Sequence, residues 1–100
     1  ELRRQVGRVL QKRGDLEGAM RHYMAAWEMY EHAGDTKHVL AAEPFRCMAK
    51  ALRERGDLDR ATEFCDRAWE VHVQASSTNE PRAALVLRDK GFLCSLLGDF

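Results

Sequence analysis

Proline is nearly absent: only Pro44 and Pro81 occur in 100 residues, and glycine is limited to seven. That excludes a turn-rich all-β design and any collagen-like or low-complexity segment. Three cysteines, Cys47, Cys65 and Cys94, have no C-x-x-C spacing, so neither a disulfide framework nor a zinc ribbon is written here. No apolar run approaches the roughly 20 residues that cross a bilayer. The opening Glu1-Leu2-Arg3-Arg4 has no secretory character. With reduced thiols this predicts an intracellular, cytoplasmic protein without a membrane partner. Neither charge sign dominates, since Lys+Arg and Asp+Glu each number 16. No Gly-rich phosphate loop and no Cys–His or Ser–His–Asp order stands out. His22, His32, His38 and His72 lack metal-ligand spacing. No enzyme, metal or cofactor is therefore expected.

What the sequence has is a repeat. Gly14-Asp15-Leu16 returns as Gly56-Asp57-Leu58 and again as Gly98-Asp99-Phe100, a period of 42. The same offset lays Arg4 on Arg46, Leu10 on Leu52, Ala19 on Ala61, Ala26 on Ala68 and Trp27-Glu28 on Trp69-Glu70. Both tryptophans obey it, and tryptophan is rare. A fixed period of this length signals stacked supersecondary units. The units are 1–42, 43–84 and a partial 85–100. The chain does not open on Met, and it reads as part of a longer array with further repeats on both sides.

Within each unit the apolar residues step by three and four, the mark of one helix face. They run Leu2, Val6, Val9, Leu10; then Leu16, Ala19, Met20, Tyr23, Ala26, Trp27, Tyr30; then Phe45, Met48, Ala49, Leu52. Leu58, Ala61, Thr62, Cys65, Ala68, Trp69 follow, and Leu85, Leu87, Phe92, Leu93, Leu96, Leu97 close the series. Glycine ends one helix by taking the left-handed conformation, and the following Asp caps the next. The spacing predicts helices over roughly 1–13, 16–32, 37–54, 58–75 and 80–97, the last capped by Asn79 with Pro81 in its first turn. Two readings are open near Pro44: one long helix kinked there, or a separate turn followed by a helix that starts at the proline. The kinked helix is preferred. Cys65 and Cys94 are expected in the core, Trp27 and Trp69 at the junction with the next unit, and Tyr30 and His72 partly exposed.

These residues resemble the tetratricopeptide family. Ala19-x3-Tyr23 with Ala26, and Ala61-x3-Cys65 with Ala68, match its A-x3-F segment with the second alanine that follows. The first-helix segment is looser: Arg3-x2-Val6-Gly7-x2-Leu10, Phe45-x2-Met48-Ala49-x2-Leu52 and Leu87-x2-Lys90-Gly91-x2-Cys94. The small residue (Gly7, Ala49, Gly91) is kept each time and allows close approach to the partner helix. The lengthened period is similar to that of the kinesin-light-chain-like group. The resemblance implies an all-α, right-handed superhelical solenoid of antiparallel hairpins whose first helices line a concave face.

On that frame Arg4, Arg8, Gln11 and Lys12 face inward from the first unit. Arg46, Lys50, Arg53 and Glu54 do so from the second, and Arg88, Phe92 and Ser95 from the third. This face is mostly basic, while the second helices carry Glu17, Glu28, Glu31, Asp59, Glu63, Asp66 and Glu70. The implied function is a protein-interaction scaffold that holds a peptide or helix of a partner, acidic in character. The asparagines of a carboxylate clamp are missing. A second reading is a regulatory or sensor module that controls an attached effector domain. RNA is disfavoured because aromatics are not interleaved with the basic positions.

Overall fold

Five helices follow from the glycine-aspartate punctuation. The structure, a computed structural model, describes residues 2–38 and 40–98. The helices are α1 (Leu2–Lys12), α2 (Leu16–His32), α3 (Glu43–Glu54), α4 (Leu58–Gln74) and α5 (Pro81–Leu96). No strand occurs among the described residues, and none of these helices is long and apolar enough to cross a membrane. The fold is all-α: α1 packs on α2 and α3 on α4, each pair an antiparallel hairpin, and α2·α3 and α4·α5 contacts stack them into a solenoid.

The turns work as their residues dictate. Gly14 and Gly56 adopt φ of +86° and +83°, a region that costs residues with a Cβ about 1 kcal/mol. This reversal lets the Asp15 amide reach back to the Leu10 carbonyl at 2.9 Å, and Asp57 to Leu52 likewise. The Asp15 carboxylate then accepts from the Gly18 amide at 2.9 Å, starting α2. Asp57 accepts from Arg60 at a longer 3.4 Å. The third such turn reaches Gly98 at φ +74°. Glu1, Val39, and the Asp99-Phe100 expected to begin another helix lie outside the described residues.

Three expectations are corrected. The helix predicted over 37–54 begins at Glu43, and residues 37 and 40–42 before it lie in turn. Pro44 has no amide to donate, so the helical ladder cannot run through it to Leu40. A helix starting at Glu43 leaves Pro44 in the first turn, where no amide is needed. Before α5, Glu80 rather than Asn79 occupies the cap position, in extended conformation and without a side-chain cap. His72 is not partly exposed but 1% exposed. Its Nδ1 pairs with Ser77 Oγ at 2.9 Å, held there by the turn after α4.

The core is the meeting of the hairpins. Ala19, Ala26, Ala61 and Ala68 are buried, and their small size sets a close distance between helices. Gly7 is closer still, because a Cβ there would lie 2.7 Å from the Tyr23 ring and 3.2 Å from the Ala19 carbonyl oxygen. Trp27 tilts against Phe45 at 4.6 Å between ring centres, joining α2 to the next hairpin as its position suggested. Cys65 is buried, whereas Cys47 and Cys94 are half-buried. On α5 the buried stripe is Ala83, Val86 and Leu93; Leu87, Phe92, Leu96 and, just past the helix, Leu97 are exposed. On α1, Leu2 and Val9 also face solvent. These outer faces have a helix on one side only, so part of each expected stripe stays uncovered.

Candidate functional site

The helices α1, α3 and α5 form one layer, and their inner side chains line a groove of about 540 Å³. Helical spacing puts them there. Arg4, Arg8 and Lys12 recur every fourth residue on α1, with Gln11 beside them; Arg46, Lys50 and Arg53 follow on α3; Arg88 and Phe92 stand one turn apart on α5. All nine positions singled out from the sequence border this one groove, together with Glu54; Ser95 does not. The acidic residues noted on α2 and α4 are all exposed.

The groove is less basic than its arginines and lysines alone suggest. Seven cations face three carboxylates, Glu43, Glu54 and Asp89. Glu43, only 6% exposed, is a hub. Arg82 of α5 donates to it at 3.0 Å, Arg46 of α3 at 3.3 Å, and Arg4 of α1 approaches to 3.6 Å. Asp89 takes both Nε and Nη2 of Arg46 at 3.2 Å. Arg4 and Arg46, read from the sequence as ligand-facing, thus join the three first helices to one another. Gln11 is committed in the same way: it accepts from the Tyr23 hydroxyl at 2.7 Å and donates to Glu54 at 2.8 Å.

Four cations are left for a ligand. Arg8, Lys12, Lys50 and Arg53 make no ion pair among the described residues. Arg53 lies over the Phe92 ring, 5.0 Å from its centre. Sequence reasoning missed Glu43 and Asp89. The only trace they leave is an acidic residue three before Arg46 and another beside Arg88, and neither spacing shows that the three helices converge.

Chemistry at the groove is quiet. Burial pushes the Cys47 thiol up, and Cys65 up to about 11, so both stay protonated at neutral pH. No cluster of His, Cys, Asp or Glu suited to a metal ion occurs among the described residues. A second depression, about 300 Å³, lies on the other side between α2 and α4, lined by Trp27, Thr36, Phe45, Arg67 and Val71 among others. There Arg67 covers the Phe45 ring at 4.4 Å.

A family profile described as "Tetratricopeptide repeat" matches residues 2–33 and 46–82, taking in α1 and α2 in one block and most of α3 with all of α4 in the other. No curated protein and no solved structure gives a significant match.

Proposed function

Since the chain belongs to the tetratricopeptide repeat family, whose repeats generally mediate protein–protein interaction, we propose that it binds an acidic peptide or helix of a partner protein along the α1–α3–α5 groove. The observation that carries this reading is the surplus of unpaired cations, Arg8, Lys12, Lys50 and Arg53, on one concave wall. A concave wall focuses the field of such charges and raises the capture rate of an oppositely charged chain. Glu43 and Asp89 neutralise the Arg4–Arg46 end, so the attraction is centred on Arg8, Lys12 and Lys50. The 42-residue recurrence of the Gly-Asp turn and of tryptophan supports grouping the chain with lengthened repeats of the kinesin-light-chain-like kind. Further repeats on either side and a cytoplasmic setting belong to the same proposal.

The test uses fluorescence anisotropy with a labelled octa-glutamate peptide at low ionic strength. The triple variant Arg8→Glu, Lys12→Glu, Lys50→Glu should bind at least about tenfold more weakly than the native chain, with an unchanged thermal melt. These three side chains carry no ion pair among the described residues, so reversing them breaks none of the charge contacts that join the helices. Equal affinity for the two proteins removes the groove from the argument.

A further inference from the structure

The hollow of about 300 Å³ between α2 and α4 shares no residue with the groove. Trp27, Phe45 and Val71 give it an apolar floor. Its rim is polar, with Thr36 from the turn between α2 and α3 and Arg67, Glu70 and Gln74 from α4. Arg67 and Glu70 stand three residues apart on one helix, a spacing at which opposite charges ordinarily pair. Here they do not, and neither makes an ion pair among the described residues. Arg67 is turned onto the rings of Phe45 and Phe64, 4.4 and 5.5 Å from their centres. Glu70 instead accepts from Gln74 Nε2 at 2.8 Å. Stacking occupies one face of the guanidinium and leaves its in-plane N–H donors free. One free cation and one free anion therefore stand separately at the rim of an apolar hollow.

We propose that this hollow is a binding site for a free aromatic amino acid. The ligand's ring lies on Trp27 and Val71 at the floor, where aromatic pairs gain free energy beyond the area they bury. Its carboxylate takes the free N–H donors of Arg67, with the Thr36 hydroxyl as a further donor. Its ammonium meets the Glu70 oxygen not engaged by Gln74 and the side-chain carbonyl of Gln74. Charge complementarity selects this class over its neighbours. A simple anion is repelled by Glu70, a simple cation by Arg67, and a purely apolar ligand leaves both charges unpaired at its edge. The volume lies at the lower end of that of ligand sites, which suits a molecule the size of one residue. Trp69 and Thr78 repeat Trp27 and Thr36 one period later, but Leu87 stands in the place of Phe45. The second unit thus has no ring there on which an arginine could stack. The proposal is independent of the groove and of the partner peptide.

The experiment titrates the native chain with L-phenylalanine in a calorimeter. A Kd of about 0.1–1 mM is expected for so small a ligand in an open site, and no saturable binding up to about 10 mM overturns the proposal. L-phenylalaninamide, which lacks the carboxylate, N-acetyl-L-phenylalanine, which lacks the ammonium, and L-leucine, which lacks the ring, should each bind at least about fivefold more weakly. Equal binding of any of the three overturns the assignment of an aromatic zwitterion. Glu70→Gln should weaken L-phenylalanine by at least about fivefold; it keeps the shape of an exposed side chain and an acceptor for Gln74, so it decides the matter even where Arg67→Gln, which removes a guanidinium from two rings, disturbs the fold. Unchanged affinity in Glu70→Gln overturns the site. The groove variant Arg8→Glu, Lys12→Glu, Lys50→Glu should bind L-phenylalanine like the native chain. A loss there would place the amino acid in the groove and overturn the assignment to the α2–α4 hollow.

Discussion

Replacing Gly7 by alanine sets two opposed effects against each other. In a helix interior this exchange alone is favourable by about 1 kcal/mol. At Gly7, however, the new methyl carbon would sit 2.7 and 2.9 Å from two Tyr23 ring carbons and 3.2 Å from the Ala19 carbonyl oxygen. Carbon atoms rest about 3.5–4.0 Å apart, so the overlap approaches ~1 Å. Tyr23 has no room to yield: it is fully buried, and its hydroxyl is fixed to Gln11, which is fixed to Glu54. Either α1 moves off α2 or the ring turns and the Tyr23–Gln11–Glu54 chain breaks. Overpacking costs about 1–3 kcal/mol, and a lost neutral hydrogen bond about 1 kcal/mol. After the helix-propensity gain is set against these, the net loss is about 1–3 kcal/mol. For a domain of this length that lowers the melting temperature by roughly 5–20 °C. Gly91 is the control, because it holds the equivalent place on α5 and a Cβ added there would meet nothing within 4 Å. Gly91→Ala keeps only the propensity gain and should raise stability by about 0.5–1 kcal/mol. Circular dichroism melts of the two variants decide the matter. Shifts of the same sign, or a Gly7→Ala protein as stable as the native chain, would refute the packing argument.

Glu43→Gln should destabilise by about 2 kcal/mol, between the values for exposed and fully buried pairs, since Arg4, Arg46 and Arg82 lose a shared anion; urea unfolding measures it, and an unchanged midpoint would deny Glu43 its role as hub. Ser76 holds φ +54° at the end of α4, where α2 ends on Gly34 at φ +69°. Ser76→Gly should therefore stabilise by about 0.5–1 kcal/mol in the same assay, and a loss would mean the turn is not strained. Burial holds the His72 imidazole below its ordinary value, against the mixed charges of Glu43, Arg46, Glu80 and Arg82. The unfolded chain thus takes up the proton first, and stability falls as pH drops below about 6.5. His72→Gln should flatten that slope in melts taken between about pH 7.5 and 5.5; parallel slopes would show that His72 contributes nothing to it.

Much of the fold was legible because it depends on local chemistry. Gly14, Asp15, Gly56 and Asp57 end and start helices by backbone conformation and capping, which need only neighbouring residues. The inward stripe Arg4, Arg8, Lys12 and its counterpart Arg46, Lys50, Arg53 follow from helical spacing once the first helices are taken to line one face. The start of α3 was misplaced because the apolar pattern continues through Ala41 and Ala42. Those residues are buried although they lie in turn, so burial there does not report helix. Val86 went unnoticed on α5 because the leucines on either side of it read as the stronger stripe; only α4, packed on one side, shows which residues are covered.

By itself, the sequence determined the helical class, the repeat, the hairpin turns and the set of residues that could share a face, since each is set by spacing and by the intrinsic preferences of Gly, Asp, Pro and Ala. The tertiary structure decided which charges cancel. Glu43 meets arginines from three helices and Asp89 reaches Arg46 from 43 positions away. Coulombic pairing acts through space at a few ångströms, and no linear spacing encodes that distance. It is this pairing that separates the arginines that hold the array together from Arg8, Lys12, Lys50 and Arg53, which are left facing the groove.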